Sequence, residues 1–287
     1  MRPVFAFAPD FRARVLALPQ LLRHGGTGSG AALPGGQSEF LGYRSLSQGD
    51  DLRRVDWNIF ARLDQLHVKE LGRGEAPEVL VIIDRSGSMA DATGGKDRLS
   101  RELAVALGHL GLVGGSEVQL CSLGEGGLVT LGRWRGVKRM DTVLQCVERL
   151  EIPRGGTWLG ALDHLPPRSG AGRACFLITD ALVDPLPAAG FAALGRSDDA
   201  ALFLLSAASE RSLDAGRWSC TGGEGEAPLD LSVERNLQSA YLAALAQHEE
   251  AVTALARKHR IHSVVATDEQ PFEAAVQQCL RQSGAGG

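Results

Sequence analysis

The sequence predicts an α/β protein built on a doubly wound, mainly parallel β-sheet, with a small N-terminal α+β extension. Three apolar runs, Val79–Ile83, Ala174–Thr179 and Ala200–Ser206, are typical of strands buried on both faces. Segments with the helical spacing of apolar residues lie between these runs. Strands that alternate with helices form a parallel sheet with helices on both faces, because strand twist makes the crossovers right-handed.

The composition indicates a folded protein and excludes several classes of partner. Hydrophobic residues make up 44% of the 287 residues, enough for a sizeable core. The formal net charge is only −4 and both signs are mixed along the chain, so we expect no nucleic-acid partner. No apolar run approaches the roughly 18 residues of a membrane span. The five cysteines are widely spaced without C-x-x-C, which predicts free thiols in the cytoplasm.

The predicted domain boundary lies just before the first buried strand. Residues 1–77 are expected to form the extension, and residues 78–283 the main domain. The extension begins with a helix from Asp10 to Arg23, which has apolar residues at helical spacing. The glycine-rich stretch Gly25–Gly36 follows a helix and lacks the Lys-Ser/Thr ending of a phosphate-binding loop. We therefore predict a flexible connector there.

The rest of the extension is dense in charges and aromatic residues. Strands are predicted at Ser38–Leu46 and Leu66–Leu71, with a short helix over Arg53–Leu63 between them. That helix carries Trp57 and Phe60 among acidic and basic side chains. Two interpretations remain open: a salt-bridged lid that packs its aromatics on the main domain, or a docking surface.

The main domain continues with alternating elements. They are a helix through Leu99 and Leu110, an edge hairpin of Glu117–Leu123 and Leu128–Leu131, a helix from Val137 to Leu150, a loop at Arg217–Pro228, a helix at Leu237–Leu255, a strand at Ser263–Ala266 and a helix at Pro271–Leu280. In the long helix, Leu237 and His248 belong to the predicted apolar stripe, and His248 is expected in the core. His259 and His262 have no third ligand in sight, so we expect helix-end or surface histidines.

Oxygen-bearing side chains follow two of the buried strands. Asp84 ends the Val79–Ile83 run, with Ser86 and Ser88 at the next alternate positions, and Asp180 follows Ala174–Thr179. Thr157 lies on a glycine-rich loop between them in sequence. Because ligands bind at the carboxyl ends of parallel strands, these groups can share one crevice. An all-oxygen set favours Mg²⁺ or Mn²⁺ over zinc, whereas the alternative is that both aspartates only cap loops.

This set of residues resembles the metal-ion-dependent adhesion site of von Willebrand factor A domains. Residues 84–88, Asp-Arg-Ser-Gly-Ser, match the D-x-S-x-S signature, and Thr157 and Asp180 match the two remaining parts in the family's order. The resemblance implies a von Willebrand factor A-like, Rossmann-type fold and a bound Mg²⁺ (or Mn²⁺). It further implies that a carboxylate of a protein partner completes the metal's coordination.

A second resemblance covers the segment just before the predicted strand Val79–Ile83. Residues 40–44 (Phe-Leu-Gly-Tyr-Arg), 49–57 (Gly-Asp-Asp-Leu-Arg-Arg-Val-Asp-Trp) and 61–62 (Ala-Arg) resemble bacterial proteins of the domain-of-unknown-function-58 family. Such proteins are typically encoded beside MoxR-type AAA+ ATPases. The resemblance therefore implies a MoxR-type ATPase as partner, in a chaperone or complex-maturation role.

The sequence thus favours a metal-dependent protein-interaction module and not an enzyme. An aspartate-nucleophile phosphatase would need a second acid where Ser86 stands, and no G-x-S-x-G elbow is present. Two alternatives remain open. One is a scaffold that docks through the N-terminal block and has a vestigial metal site; the other is a metal-dependent hydrolase.

Overall fold

A computed structural model of the chain confirms the predicted α/β fold class. It describes residues 5–24, 38–45, 67–73, 77–90, 93–151, 153, 155–156, 159–168, 172–212, 216–220 and 229–284. The strands are β1 (Ser38–Ser45), β2 (His67–Arg73), β3 (Glu78–Asp84), β4 (Glu117–Gly124), β5 (Gly127–Arg135), β6 (Arg173–Thr179), β7 (Asp199–Ser206), β8 (Gly216–Cys220), β9 (Leu229–Val233) and β10 (His262–Thr267). The helices are α1 (Phe11–His24), α2 (Gly95–Val113), α3 (Met140–Glu148), α4 (Ala188–Leu194), α5 (Ala208–Arg211), α6 (Arg235–Lys258) and α7 (Phe272–Gly284).

The central sheet has six strands in the order β10-β7-β6-β3-β4-β5. Every neighbouring pair runs parallel except β4 and β5, which form the antiparallel hairpin expected at the sheet edge. Two antiparallel pairs, β1 with β2 and β8 with β9, stand outside this sheet. The strands predicted at the start of the chain therefore pair with each other.

Strand β3 lies in the middle of the sheet and is buried along its whole length. Because side chains alternate between the faces of a strand, its apolar run supplies both halves of the core. Val79, Val81 and Ile83 pack into a cluster with residues of α1, α2, α3 and α7. Leu80 and Ile82 pack into the opposite cluster with residues of α4 and α6. Helices on both faces are what a doubly wound sheet requires.

The chain changes direction between β3 and β6. From β3 it passes through α2 to β4 on one side, and from β6 it passes through α4 to β7 on the other. Neighbouring strands whose connections leave in opposite directions open a crevice at their carboxyl ends. This crevice is where Asp84 and Asp180 lie.

Helix α1 is part of the hydrophobic core of the main sheet domain. Phe11 is fully buried; its ring stacks on Phe7 at 4.2 Å between centroids and meets Phe272 of α7 edge-on at 5.3 Å. Arg14 forms a bidentate ion pair with Glu273 of α7, with N–O distances of 2.7 and 2.6 Å. The N-terminal helix is thus attached both by apolar packing and by charge.

Some predicted segments lie outside the described residues. They include the connector Gly25–Gly36, the helix over Arg53–Leu63 with Trp57, and the site residue Thr157. The boundary at residues 77 and 78 stays a prediction.

Two predicted features of the later part of the chain are wrong. The segment 217–228 is expected to be loop throughout, yet Gly216–Cys220 forms β8 and pairs with Leu229–Val233. The apolar stripe of α6 is buried only near its end, where Val252 is fully buried, whereas Leu237 is 43% exposed. His248 is half-buried and its Nε2 lies 3.0 Å from the Ala181 carbonyl oxygen, so it borders the core. Neither the pairing of β8 nor the exposure of Leu237 is encoded in the local spacing of apolar residues.

We predict that Phe11→Ala lowers the free energy of unfolding by about 3 kcal/mol, because it empties a filled site in the core. Leu16→Ala is the matched control on the same helix, since Leu16 is 42% exposed; its loss should stay below about 1 kcal/mol. Urea denaturation followed by circular dichroism measures both. Equal losses would contradict the placement of α1 against the core.

Candidate metal centre

Asp84 is the last residue of β3 and its side chain builds the turn that follows. Its Oδ1 accepts the backbone N–H of Ser86 at 2.8 Å, an aspartate turn of the usual kind. Its Oδ2 accepts the hydroxyl of Thr179, the last residue of the neighbouring strand β6. Asp84 is fully buried. The carboxylate therefore spans the two central strands at their carboxyl ends.

The serines predicted as ligands lie on the loop that begins at Asp84. Ser86 is fully buried, and its Oγ lies 3.1 Å from the Oγ of Ser88. Ser88 donates its hydroxyl to Oδ1 of Asp180 at 3.0 Å. A short 3₁₀ turn over residues 87–89 places these hydroxyls on the same side of the loop as the carboxylates.

Asp180 directly follows β6 and completes a connected group of four predicted site residues. Its Oδ1 accepts from Ser88 and from the backbone N–H of Leu182, the latter at 3.3 Å. Thr157 lies outside the described residues, but its loop is represented by Gly155. The carbonyl of Gly155 accepts the backbone N–H of Gly87 at 2.7 Å. Gly155 therefore contacts the loop that begins at Asp84.

The surroundings of Asp84 disfavour its ionised form. Burial, and after it the charge of the nearby Asp180, raises the pKa of Asp84 to about 6. The hydrogen bonds from Thr179 and Ser86 oppose this shift without cancelling it. Two carboxylates in one crevice repel unless a proton or a cation intervenes.

The sequence matches the family model described as "Protein of unknown function DUF58" over residues 42–251, which is most of the chain. The chain belongs to the DUF58 family. Among curated proteins, none gives a significant match to this DUF58 sequence.

Two solved structures are similar to the DUF58 chain. One is the conserved hypothetical protein BatB from Bacteroides thetaiotaomicron, 16% identical, with a TM-score of 0.42, covering 74% of this chain and 100% of that one. The other is an aerotolerance-related membrane protein from Bacteroides fragilis NCTC 9343, carrying multiple mutations to serine. It is 16% identical, with a TM-score of 0.40, covering 72% of this chain and 97% of that one. Within the part of the DUF58 chain that the structure describes, no helix is long and apolar enough to cross a membrane.

Lys96 is a buried residue of the DUF58 site that the sequence does not reveal. Its side chain is only 1% exposed, and its Nζ lies 2.9 Å from Oδ2 of Asp180 and 2.5 Å from Oε1 of Glu210. Burial alone would lower the Lys96 pKa, but the carboxylates of Asp180 and Glu210 raise it, so the ammonium stays charged. The one sign of a special role in the sequence is the position of Lys96 in the first turn of a predicted helix. A lysine there opposes the helix dipole, so it needs a compensating partner.

The donor set of the DUF58 site fits a hard divalent cation. Asp84, Ser86, Ser88 and Asp180 form a connected group beside the Lys96 ammonium, and these four side chains offer only oxygen as a metal ligand. Among the described residues no cluster of three or more His, Cys, Asp or Glu side chains is placed to hold a metal. His259 and His262 accordingly belong to no such cluster. A set of few charges suits Mg²⁺, which keeps several of its waters.

We predict that Lys96→Met costs about 3 kcal/mol of unfolding free energy, because it leaves Asp180 and Glu210 without their shared buried cation. Lys138→Met removes an exposed ammonium and should change stability by less than about 0.5 kcal/mol. Urea titration in buffer free of divalent metal measures both. A Lys96→Met protein as stable as the control would show that the buried ion pair contributes nothing.

Proposed function

We propose that this DUF58 protein is a metal-dependent protein-interaction module, with Mg²⁺ (or Mn²⁺) bound at the crevice between β3 and β6. Asp84, Ser86, Ser88 and Asp180 would hold the ion together with Thr157, in the manner of a von Willebrand factor A-like adhesion site. The observation that carries the proposal is the connected group of oxygen ligands at the switch point of the sheet.

The proposed role of the metal is recognition of a partner's carboxylate. A hard cation held by few protein charges retains positive character and waters that an aspartate or glutamate can displace. We further propose a MoxR-type AAA+ ATPase as the partner, in a chaperone or complex-maturation role. That proposal rests on the family resemblance of the segment before β3. A cytoplasmic location stays a prediction from the cysteine pattern.

We propose binding and not catalysis for the same crevice. The Ser86 and Ser88 hydroxyls hydrogen bond to each other, and Ser88 donates to Asp180. Hydroxyl oxygens held in this way can serve as neutral ligands of a cation. Phosphatase or esterase turnover that disappears in Asp84→Asn would refute this part of the proposal and favour the hydrolase alternative.

Metal uptake is the first test of the proposal. We predict that the wild-type protein binds Mn²⁺ with a millimolar or tighter dissociation constant, and that Asp84→Asn weakens binding at least about 100-fold by removing a first ligand. Isothermal titration calorimetry measures both. Asp141→Asn is the control, since Asp141 lies on the surface, paired with Arg12 at 2.8 Å; it should bind as the wild type does.

Thermal unfolding gives a second measure of the same event. Millimolar Mn²⁺ should raise the Tm of the wild type and of Asp141→Asn, because a ligand of the folded state stabilises it. The Tm of Asp84→Asn should not move. No uptake by the wild type, or equal uptake by Asp84→Asn, would refute the metal site.

Partner binding is the second test. We predict that the purified protein captures the purified MoxR-type ATPase of the same organism in Mg²⁺, and that Asp84→Asn abolishes capture. The variant is a sharper probe than a chelator, because AAA+ ATPases themselves hold Mg²⁺ with nucleotide. Capture that survives in Asp84→Asn would refute the metal's role and favour the scaffold alternative.

A further inference from the structure

Arg85 lies between two proposed ligands and points away from them into the protein. Its side chain is only 9% exposed. One end of its guanidinium group, Nη1, donates to Oδ1 of Asp97 on α2, and the other, Nη2, donates to the backbone carbonyl of Glu151. Its own backbone N–H donates to the Leu123 carbonyl of β4 at 2.7 Å. Arg85 therefore connects the Asp84 loop to α2, to β4 and to the segment after α3.

Asp97, the partner of Arg85, also forms an ion pair with a second arginine. Arg101 of α2 is fully buried, and its Nε lies 3.0 Å from Oδ1 of Asp97. Its terminal nitrogens donate to the carbonyls of Val147 at 2.6 Å and Leu150 at 3.0 Å. Val147 lies in the last turn of α3, and Leu150 lies just after the helix. Arg101 thus fixes the point from which the 151–156 segment departs.

Glu151 and Gly155 both contact the Asp84 loop. Glu151 accepts from the Arg85 guanidinium at the beginning of the 151–156 segment, and Gly155 accepts from the Gly87 backbone N–H near the end of that segment. Position 157, the third part of the proposed site, follows directly in sequence.

We propose that Arg85 is a positioning residue of the metal site, which holds Glu151 and α2 against the Asp84 loop and so fixes the loop that carries Asp84, Ser86 and Ser88. The inference rests on the proposed function. The planar guanidinium can reach Asp97 and the Glu151 carbonyl at the same time, as a rigid fork. Lysine is a point charge on a flexible stem and replaces this fork only in part.

A purely structural role for Arg85 is the competing explanation, and the chain contains a matched control for it. Arg173 is buried at the opposite end of the sheet, where its Nη2 lies 2.7 Å from Oε2 of Glu78. It also donates to the carbonyls of Pro166 at 2.7 Å and Pro167 at 2.9 Å. Arg85 and Arg173 therefore combine a buried carboxylate with loop carbonyls, but only Arg85 adjoins the proposed ligands.

The test compares Arg85→Met, Arg85→Lys and Arg173→Met with the wild type. Mn²⁺ affinity is measured by calorimetry at a temperature where each variant is folded, and hydrogen exchange reports on residues 85–89 and 149–156. Arg85→Met should weaken Mn²⁺ binding about 10- to 100-fold, the usual effect of losing a residue that orients ligands. It should also accelerate exchange at residues 85–89, because the Gly87 N–H loses its fixed acceptor. Arg85→Lys should lie between Arg85→Met and the wild type.

Arg173→Met should lower the Tm and leave both Mn²⁺ affinity and exchange at residues 85–89 unchanged. Equal effects of Arg85→Met and Arg173→Met on affinity would overturn the proposal, as would unchanged affinity and exchange in Arg85→Met. Where Arg85→Met does not fold, wild-type affinity and exchange in Arg85→Lys overturn it. Should the wild type take up no Mn²⁺, the proposed function fails by itself, and the exchange measurements alone decide whether Arg85 holds the segment.

Discussion

Two buried carboxylates at the carboxyl ends of β3 and β6 impose the constraint around which the site is built. The parallel register pairs Ile83 with Ile178. Asp84 comes directly after Ile83 and Asp180 two residues after Ile178, so the two carboxylates cannot move far apart without breaking the sheet. Their mutual repulsion must be offset where they stand. The groups that do so are the Ser86 backbone N–H, the Thr179 hydroxyl, the Ser88 hydroxyl and the Lys96 ammonium.

Buried arginines hold the loops at both ends of the sheet in the same way, by pairing with a carboxylate and with backbone carbonyls. A guanidinium group is always charged, so burial is tolerated only when a carboxylate and further acceptors surround it. Asp97 forms ion pairs with Arg85 and Arg101 at the carboxyl end of the sheet, and Glu78 forms an ion pair with Arg173 at the amino end. The remaining donors pair with backbone carbonyls, those of Val147, Leu150 and Glu151 at the carboxyl end and those of Pro166 and Pro167 at the amino end. Removal of any of these carboxylates would leave buried cations uncompensated.

The central strands and their terminal aspartates were predictable because their information is local. A run such as Val79–Ile83 can bury both faces only inside a parallel sheet, and Asp84 must then stand at its end. The pairing of β8 with β9 is local in sequence, but the Gly- and Glu-rich composition between the strands indicated a loop and concealed it. Lys96 was not predictable, since its partner Asp180 lies 84 residues away in sequence. Only the tertiary fold brings Lys96 and Asp180 together.

Lys96 reduces the net negative charge of the proposed site. Under the proposed function, this favours recognition of a partner's anion over tight binding of the metal. Asp180 directs Oδ2 to the Lys96 ammonium and Oδ1 to the Ser88 hydroxyl, so much of its charge is compensated within the protein. Asp84, by contrast, accepts hydrogen bonds from two uncharged groups, the Ser86 backbone N–H and the Thr179 hydroxyl. A divalent cation bound by such a set keeps part of its positive charge, and an anionic group from outside is the ligand that neutralises it. Under the proposed function, Lys96 would thus be the side chain that adjusts the site towards a partner's carboxylate.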